Sequence, residues 1–118
     1  MAEHLRVGER GEEIAAKHLV DSGLVILARN WRCELGELDI VCADGDRLVV
    51  CEVKTRTGTH YGGPAEAVTD VKARRIRRLA RRWRVDRGIP KCSIRFDIVA
   101  VLLPPGGDPV VQHLIGVF

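Results

Sequence analysis

Several hallmarks of membrane, secreted and ATP-driven proteins are missing from this sequence. No apolar run among its 118 residues is long enough to span a bilayer. Residues 1–11 are charged and contain no hydrophobic segment typical of a signal peptide. The glycine-containing stretch at residues 58–64 does not match the G-x-x-x-x-G-K-[ST] pattern of a phosphate-binding loop. We therefore expect a cytoplasmic protein with no membrane contact and no ATP-driven activity of its own.

The cysteines show no pattern typical of disulfides or zinc sites. The four cysteines form no C-x-x-C pair, and the four histidines show no metal-ligand spacing. Three of the cysteines have apolar neighbours such as Val41 and Val50. Buried, reduced thiols are therefore expected rather than a structural zinc site. The cysteines are Cys33, Cys42, Cys51 and Cys92.

The length and composition indicate one ordinary globular domain with an uneven charge distribution. Hydrophobic residues make up 46% and charged residues 30% of the chain. The net charge is only +3, but nine of the 19 basic residues lie between Val71 and Arg87, where Asp86 is the one acid. This segment predicts a polycationic surface. Its basic residues are Lys72, Arg74, Arg75, Arg77, Arg78, Arg81, Arg82, Arg84 and Arg87.

Hydrophobic periodicity predicts a mixed α/β fold. Helical spacing of apolar residues indicates two helices, and Thr69 is a good N-cap for the second. Runs of β-forming residues indicate three strands between the helices and one after them, and residues 110–114 are a candidate edge strand. We expect the order α-β-β-β-α-β, with helices packed on a central mixed sheet. The predicted helices cover residues 3–21 and 69–87, and the predicted strands cover residues 24–31, 37–43, 48–55 and 93–103.

The second and third strands are predicted to form a hairpin that brings two carboxylates together. A turn through Gly45 and Asp46 places Asp39 opposite Glu52. A turn shifted by one residue leaves the two side chains as diagonal neighbours on the same face. Directly opposed residues have Cβ atoms about 5 Å apart. Two carboxylates at that distance repel each other and raise each other's pKa, so a positive charge is expected between them.

Lys54 and Glu12 complete the candidate site. Lys54 is two residues beyond Glu52 on one strand, so it shares the face of both carboxylates. Two hard oxygen ligands beside a lysine suit metal-assisted phosphodiester cleavage, with the Val53 carbonyl as a candidate third ligand. Glu12 lies at the margin of the apolar face of the first helix, from where it can point into the same cleft. Asp39, Glu52, Lys54 and Glu12 are therefore candidate catalytic residues.

Each of these features also has an interpretation without function. The two carboxylates could form an ordinary solvated strand face, with Lys54 as an ion partner. However, Val41 and Val50 share this face, and desolvated charges are costly without strong partners. Charge on the second helix could serve solvation alone, but so many cations repel each other unless a polyanion binds. The residues expected to contact phosphates are Lys72, Arg74, Arg75, Arg78, Arg81 and Arg82.

The hairpin residues resemble a known nuclease signature. Residues 36–41, followed by Glu52-Val53-Lys54, are similar to the D…E-x-K motif of the PD-(D/E)XK nuclease superfamily. More closely, the chain resembles the bacterial YraN-like family of presumed endonucleases over nearly its whole length. The resembling segments are residues 8–15, the two hairpin motifs, residues 61–68 and residues 95–99.

The resemblance implies a restriction-endonuclease-like domain over residues 1–118 and metal-dependent cleavage of DNA or RNA. Asp39 and Glu52 would hold Mg²⁺ or Mn²⁺, and Lys54 would be the catalytic lysine. Glu12 would match an acid on the first helix of archaeal Holliday junction resolvases, which makes branched DNA a candidate substrate. A homodimer would suit that role, although no residues demand one. Two alternatives stay open: a nucleic-acid-binding module without turnover, and an adaptor whose basic helix binds an acidic protein partner.

Overall fold

Two helices and five strands form a mixed α/β fold in the computed structural model, which describes residues 3–58 and 68–118. The predicted mixed α/β class is confirmed, and the candidate edge strand is present as a fifth strand that the predicted order left out. The motif at residues 61–68 lies outside the described residues except for Val68. The elements are α1 (Glu3–Asp21), β1 (Val25–Cys33), β2 (Gly36–Asp44), β3 (Arg47–Arg56), α2 (Asp70–Asp86), β4 (Ile94–Leu102) and β5 (Val110–Leu114).

The five strands form one sheet in the order β1-β2-β3-β4-β5. β1 pairs with β2, β2 with β3, and β4 with β5, all antiparallel, whereas β3 and β4 are parallel. A parallel pair needs a crossover connection, and α2 lies within this one. In the described part of the chain, neither helix is long and apolar enough to cross a membrane.

The central strands are buried on both faces because alternate residues pack against different helices. Ile40, Cys42, Val49 and Cys51 pack in one core with Ala15 and Leu19 of α1. Val41, Leu48 and Val50 pack in a second core with Ile76, Leu79 and Trp83 of α2. The expected burial of the cysteines is confirmed for Cys42 and Cys51, while Cys33 and Cys92 are half-buried.

Gly11 lets α1 lie directly against β3. A Cβ atom at residue 11 would overlap the side chain of Thr55, so only glycine fits this contact. A Cβ atom at Gly8 would meet no heavy atom within 4 Å. The absence of a side chain at Gly8 is therefore not what permits the close approach.

The first turn of α2 is held by the predicted cap. Thr69 Oγ1 accepts a hydrogen bond from the backbone N–H of Lys72 at 3.2 Å. This bond satisfies one of the free donors at the helix start. It also fixes the position of Lys72 relative to the sheet.

Candidate metal-binding site

The hairpin register places Asp39 and Glu52 side by side at the end of a ladder. Asp44 pairs with Arg47 and Ile40 pairs with Cys51, as the turn through Gly45 predicts. Asp39 is the next residue of β2 beyond the last of these pairs. Its Oδ2 accepts a hydrogen bond from the backbone N–H of Val53 at 2.9 Å. The Asp39 side chain therefore binds the β3 backbone where the antiparallel ladder ends.

A cavity of about 290 Å³ adjoins this contact. Glu12 and Gly8 of α1 line one wall, and Asp39 lines another. The remaining lining residues belong to β3 and include Lys54. The structure thus brings Glu12, Asp39 and Lys54 to one cavity, whereas Glu52, the fourth candidate residue, is not among its lining residues. The full β3 contribution is Val53, Lys54, Thr55 and Arg56.

The carboxylates of this cluster are held in an unfavourable environment for negative charge. Burial and, after it, the nearby Glu52 carboxylate raise the pKa of Asp39 to about 7, against the opposing hydrogen bond from Val53. Burial also raises the pKa of Glu12, although the Arg29 guanidinium opposes the shift. A cation bound between the carboxylates would lower the cost of ionising both Asp39 and Glu12.

Lys72 supplies one such cation from α2. Its Nζ lies 2.7 Å from Oε1 of Glu52, whose side chain is only 12% exposed. Burial alone would lower the pKa of Lys72, but the hydrogen bond and charge of Glu52 raise it overall. For Lys54, burial and the neighbouring Lys72 ammonium lower the pKa. The two lysines therefore have different electrostatic environments, and Lys72 is the one paired with Glu52.

Lys72 was predicted as a phosphate contact, and the sequence carried a signal for its different location. Lys72 precedes Ile76 by four residues and Leu79 by seven, and both of these are buried against the sheet. Residues at that spacing share one helix face. Lys72 thus lies on the inner face of α2, among the candidate site residues.

The other basic residues of α2 divide into paired and exposed groups. Arg82 pairs with Glu34 at 2.7 Å and with Asp86 at 3.4 Å. Asp86 is the one acid of the segment itself, but Glu34 and Glu52, from other parts of the chain, also pair with its cations. Arg75 is exposed and lies near Gly36. No ion pair joins the exposed Arg74, Arg78 or Arg81 to another residue within 3–58 and 68–118.

A second cleft, which the sequence did not indicate, lies against α1. Its volume is about 350 Å³, and Arg6 and Arg10 of α1 line it together with Thr57 and residues 103–107. Gly8 and Glu12, which line the first cavity, are each two positions beyond these arginines and so lie about 200° around the helix from them. Arg6 and Arg10 therefore face a cleft separate from the candidate cavity.

Asp97 is a buried charge that strand alternation did not reveal. Its side chain is fully buried and accepts hydrogen bonds from Arg95, His113 and the backbone N–H of Gly116. Burial would raise the pKa of Asp97, but these bonds hold it below its usual value. His113 in turn contacts His18 of α1 at 3.1 Å. This network joins β4, β5 and α1 and lies apart from the residues that line the candidate cavity.

The donor set of the candidate site suits a hard divalent cation. Asp39 and Glu52 offer carboxylate oxygens, and the Val53 carbonyl points to the same side of β3 as the N–H that binds Asp39. Mg²⁺ is commonly bound by one or two carboxylates together with waters and substrate phosphates. Among residues 3–58 and 68–118, no three His, Cys, Asp or Glu side chains form a metal-binding group by themselves. The site therefore fits Mg²⁺ or Mn²⁺ with solvent or substrate ligands.

Comparison with other proteins identifies the family. The chain is 56% identical to a UPF0102 protein of Nocardioides sp. over 111 residues, which are 94% of this chain and 90% of the relative. It is 54% identical to a UPF0102 protein of Frankia alni, covering 95% of this chain and 93% of the relative. A UPF0102 protein of Rhodococcus jostii is 48% identical over the full length of both chains.

The family match includes the hairpin, most of α1 and the whole of α2. The uncharacterised protein family UPF0102 matches residues 11–101. The matched range contains Glu12, Asp39, Glu52, Lys54 and Lys72. These matches support the YraN-like resemblance, and the names of the relatives state no activity. The chain belongs to the UPF0102 family.

Proposed function

We propose that this chain is a divalent-metal-dependent endonuclease with a restriction-endonuclease-like core of the PD-(D/E)XK type. It would hydrolyse phosphodiester bonds in nucleic acid, with DNA as the main substrate and branched DNA as a candidate form. The observation that carries the proposal is the hydrogen bond from Val53 to Asp39. Because Val53 lies between Glu52 and Lys54 on β3, this bond ties Asp39 to the E-x-K motif.

Asp39, Glu52 and the Val53 carbonyl would hold Mg²⁺ or Mn²⁺. When bound, such a cation polarises a phosphate and lowers the pKa of a coordinated water. The raised pKa of Asp39 reflects burial first and the Glu52 charge second, and a bound cation would oppose both effects. A cation-binding role for these carboxylates is therefore consistent with their electrostatics.

Lys54 and Glu12 would act on the substrate side of the cavity. The Lys54 ammonium lines the same cavity as Asp39, where it can donate a hydrogen bond to a phosphate oxygen or to the attacking water. Glu12 reaches the cavity from α1 and can orient a water or share in binding the cation. The chain thus offers an acid from a second element in addition to the hairpin pair.

Exposed arginines would bind the sugar-phosphate backbone. Arg74, Arg78 and Arg81 are spaced four and three residues apart, so they form one stripe on the outer face of α2. Arg6 and Arg10 line the second cleft, on the opposite side of α1 from the candidate cavity. Phosphate contacts of this kind give affinity without sequence preference. Binding to many sequences is therefore expected.

The direct test is cleavage of labelled linear, flapped and four-way-junction DNA and RNA with Mg²⁺, Mn²⁺ or EDTA. We expect metal-dependent product from the wild type, and none from Lys54→Ala or from Asp39→Ala combined with Glu52→Ala. Lys17→Ala is the control, because Lys17 is exposed and pairs with Asp21. Undiminished cutting by the double variant would rule out this active site.

A nucleic-acid-binding module without turnover is the second candidate. It is favoured by the Lys72–Glu52 ion pair, which neutralises one carboxylate without a metal. Salt-sensitive binding without metal-dependent product would select this function. Failure to bind DNA or RNA at low salt would instead favour the adaptor that binds an acidic protein partner.

A further inference from the structure

Lys72 already contacts one of the carboxylates that the proposed metal needs. The Nζ–Oε1 distance of 2.7 Å to Glu52 is that of a charge-assisted hydrogen bond. The two side chains are 27% and 12% exposed, so solvent screens this pair less than an ordinary surface pair. Glu52 is therefore engaged by a protein cation at the point where a metal would bind.

The position of Lys72 is set by the helix. Its backbone N–H binds the Thr69 cap, and its side chain shares the inner face of α2 with Ile76. The adjacent Arg74 lies on the outer face and is exposed. The basic segment thus directs one cation inward at its first turn and several outward.

A divalent cation and the Lys72 ammonium cannot both occupy the Glu52 oxygens at low cost. Like charges repel strongly when they are a few ångströms apart in a partly buried site. Glu52 Oε1 accepts a hydrogen bond from Lys72, so a metal that uses this oxygen must displace the ammonium. Lysine has a flexible four-carbon chain, which allows that displacement without movement of the helix.

We propose that Lys72 is an internal counterion that competes with the divalent metal for Glu52 and leaves Glu52 when the metal binds. Lys72 is therefore a positioning residue that weakens metal binding in the absence of nucleic acid. After release, the ammonium is free to meet a substrate phosphate, so metal and nucleic acid strengthen each other's binding. This inference rests on the metal site of the proposed function.

The experiment is calorimetric titration of the full chain with MnCl₂ at pH 8, with and without an uncleaved phosphorothioate DNA duplex. We expect Lys72→Met to bind Mn²⁺ about tenfold more tightly than the wild type without DNA, because the competing charge is gone. Lys72→Arg keeps a cation beside Glu52, so its Mn²⁺ binding should remain as weak as that of the wild type. In the titration without DNA, Arg74→Met is the matched control, because it removes one positive charge from the outer face of the same helix.

Two further readouts separate competition from a merely structural role. Mn²⁺ should raise the Tm of Lys72→Met more than that of the wild type, because tighter binding stabilises the folded state more. DNA should tighten Mn²⁺ binding by a larger factor in the wild type than in Lys72→Met. If Lys72→Met does not fold, Lys72→Gln repeats the test, since it removes the charge and keeps a hydrogen-bond donor.

The outcomes distinguish this inference from the proposed function. Equal or weaker Mn²⁺ binding by Lys72→Met overturns the counterion role and leaves the metal site standing. Equal tightening by Arg74→Met also overturns it, because the effect would then be one of net charge. Absence of Mn²⁺ binding by every variant, or binding that Glu52→Gln leaves unchanged, overturns the metal site and the proposed function with it.

Discussion

The backbone N–H of Val53 donates a hydrogen bond to Oδ2 of Asp39 at 2.9 Å, where the ladder between β2 and β3 ends. The contact holds a carboxylate beside Glu52 although the pKa of Asp39 is raised to about 7. A raised pKa in the folded state means that ionisation of Asp39 costs stability. This cost is absent below the ordinary carboxyl pKa and is complete once the pH exceeds about 7.

Replacing Asp39 by Asn should stabilise the metal-free protein at pH 8. The variant removes the charge and keeps an oxygen that can accept from Val53, so we expect a gain on the order of 2 kcal/mol. The gain should disappear at pH 4, where the wild-type carboxyl is largely protonated. Urea unfolding in EDTA at both pH values measures it. Glu9→Gln, at an exposed position of α1, is the control, and an equal gain there would contradict the explanation.

Replacing Gly8 and Gly11 of α1 by alanine should change the free energy of unfolding in opposite directions. Gly11→Ala would force a Cβ into Thr55, and we expect a loss of about 1–3 kcal/mol in the free energy of unfolding. Gly8→Ala meets open space in a helix interior and should gain about 0.5–1 kcal/mol. Denaturant unfolding of the matched pair measures both. Thr55→Ala should recover part of the Gly11→Ala loss, and lack of any recovery would show that the contact is not the cause.

Replacing Asp97, a buried charge outside the candidate site, should lower the free energy of unfolding strongly. Asp97→Asn removes the buried carboxylate that Arg95 binds at 2.9 Å and leaves Arg95 only the longer contact with Asp44 at 3.7 Å, so we expect a loss of about 3 kcal/mol at pH 7. Because the pKa of Asp97 is lowered in the folded state, its contribution is present above the ordinary carboxyl pKa. It is lost as the pH falls through the lower folded-state pKa. Unfolding of wild type and variant between pH 2 and 7 tests this, with exposed Asp108→Asn as control.

The outer stripe of α2 should dominate the salt dependence of nucleic-acid binding. The triple variant Arg74→Gln, Arg78→Gln, Arg81→Gln should weaken binding to a DNA duplex and reduce the slope of log K against log salt by about 2–3. Fluorescence anisotropy at several salt concentrations measures the slope. The charge-matched control replaces exposed Lys17, Arg32 and Lys91 by Gln. An equal change in the control would mean that net charge, rather than this surface, binds the nucleic acid.

Local patterns in the sequence were sufficient to predict the secondary structure and the two hairpin carboxylates of the candidate site. Helical spacing placed α1 at its observed residues, and Thr69 marked the start of α2. The two-residue turn determined the hairpin register, and this register alone places Asp39 beside Glu52. Such features depend on neighbours within a few turns or across one short hairpin, so they can be derived without the remaining chain.

Tertiary structure decided which distant charges meet. Lys72 reaches Glu52 because the crossover places α2 over β3, and Glu34 reaches Arg82 across 48 residues of sequence. Asp97 meets His113 and Gly116 only after β5 has paired with β4. Periodicity can place Lys72 on the inner face of α2, but it does not identify these partners, because an ion pair between elements depends on helix placement and side-chain reach. The sequence therefore determined that Asp39 and Glu52 lie together. Packing of α2 on the sheet determined that Lys72 is the cation beside Glu52.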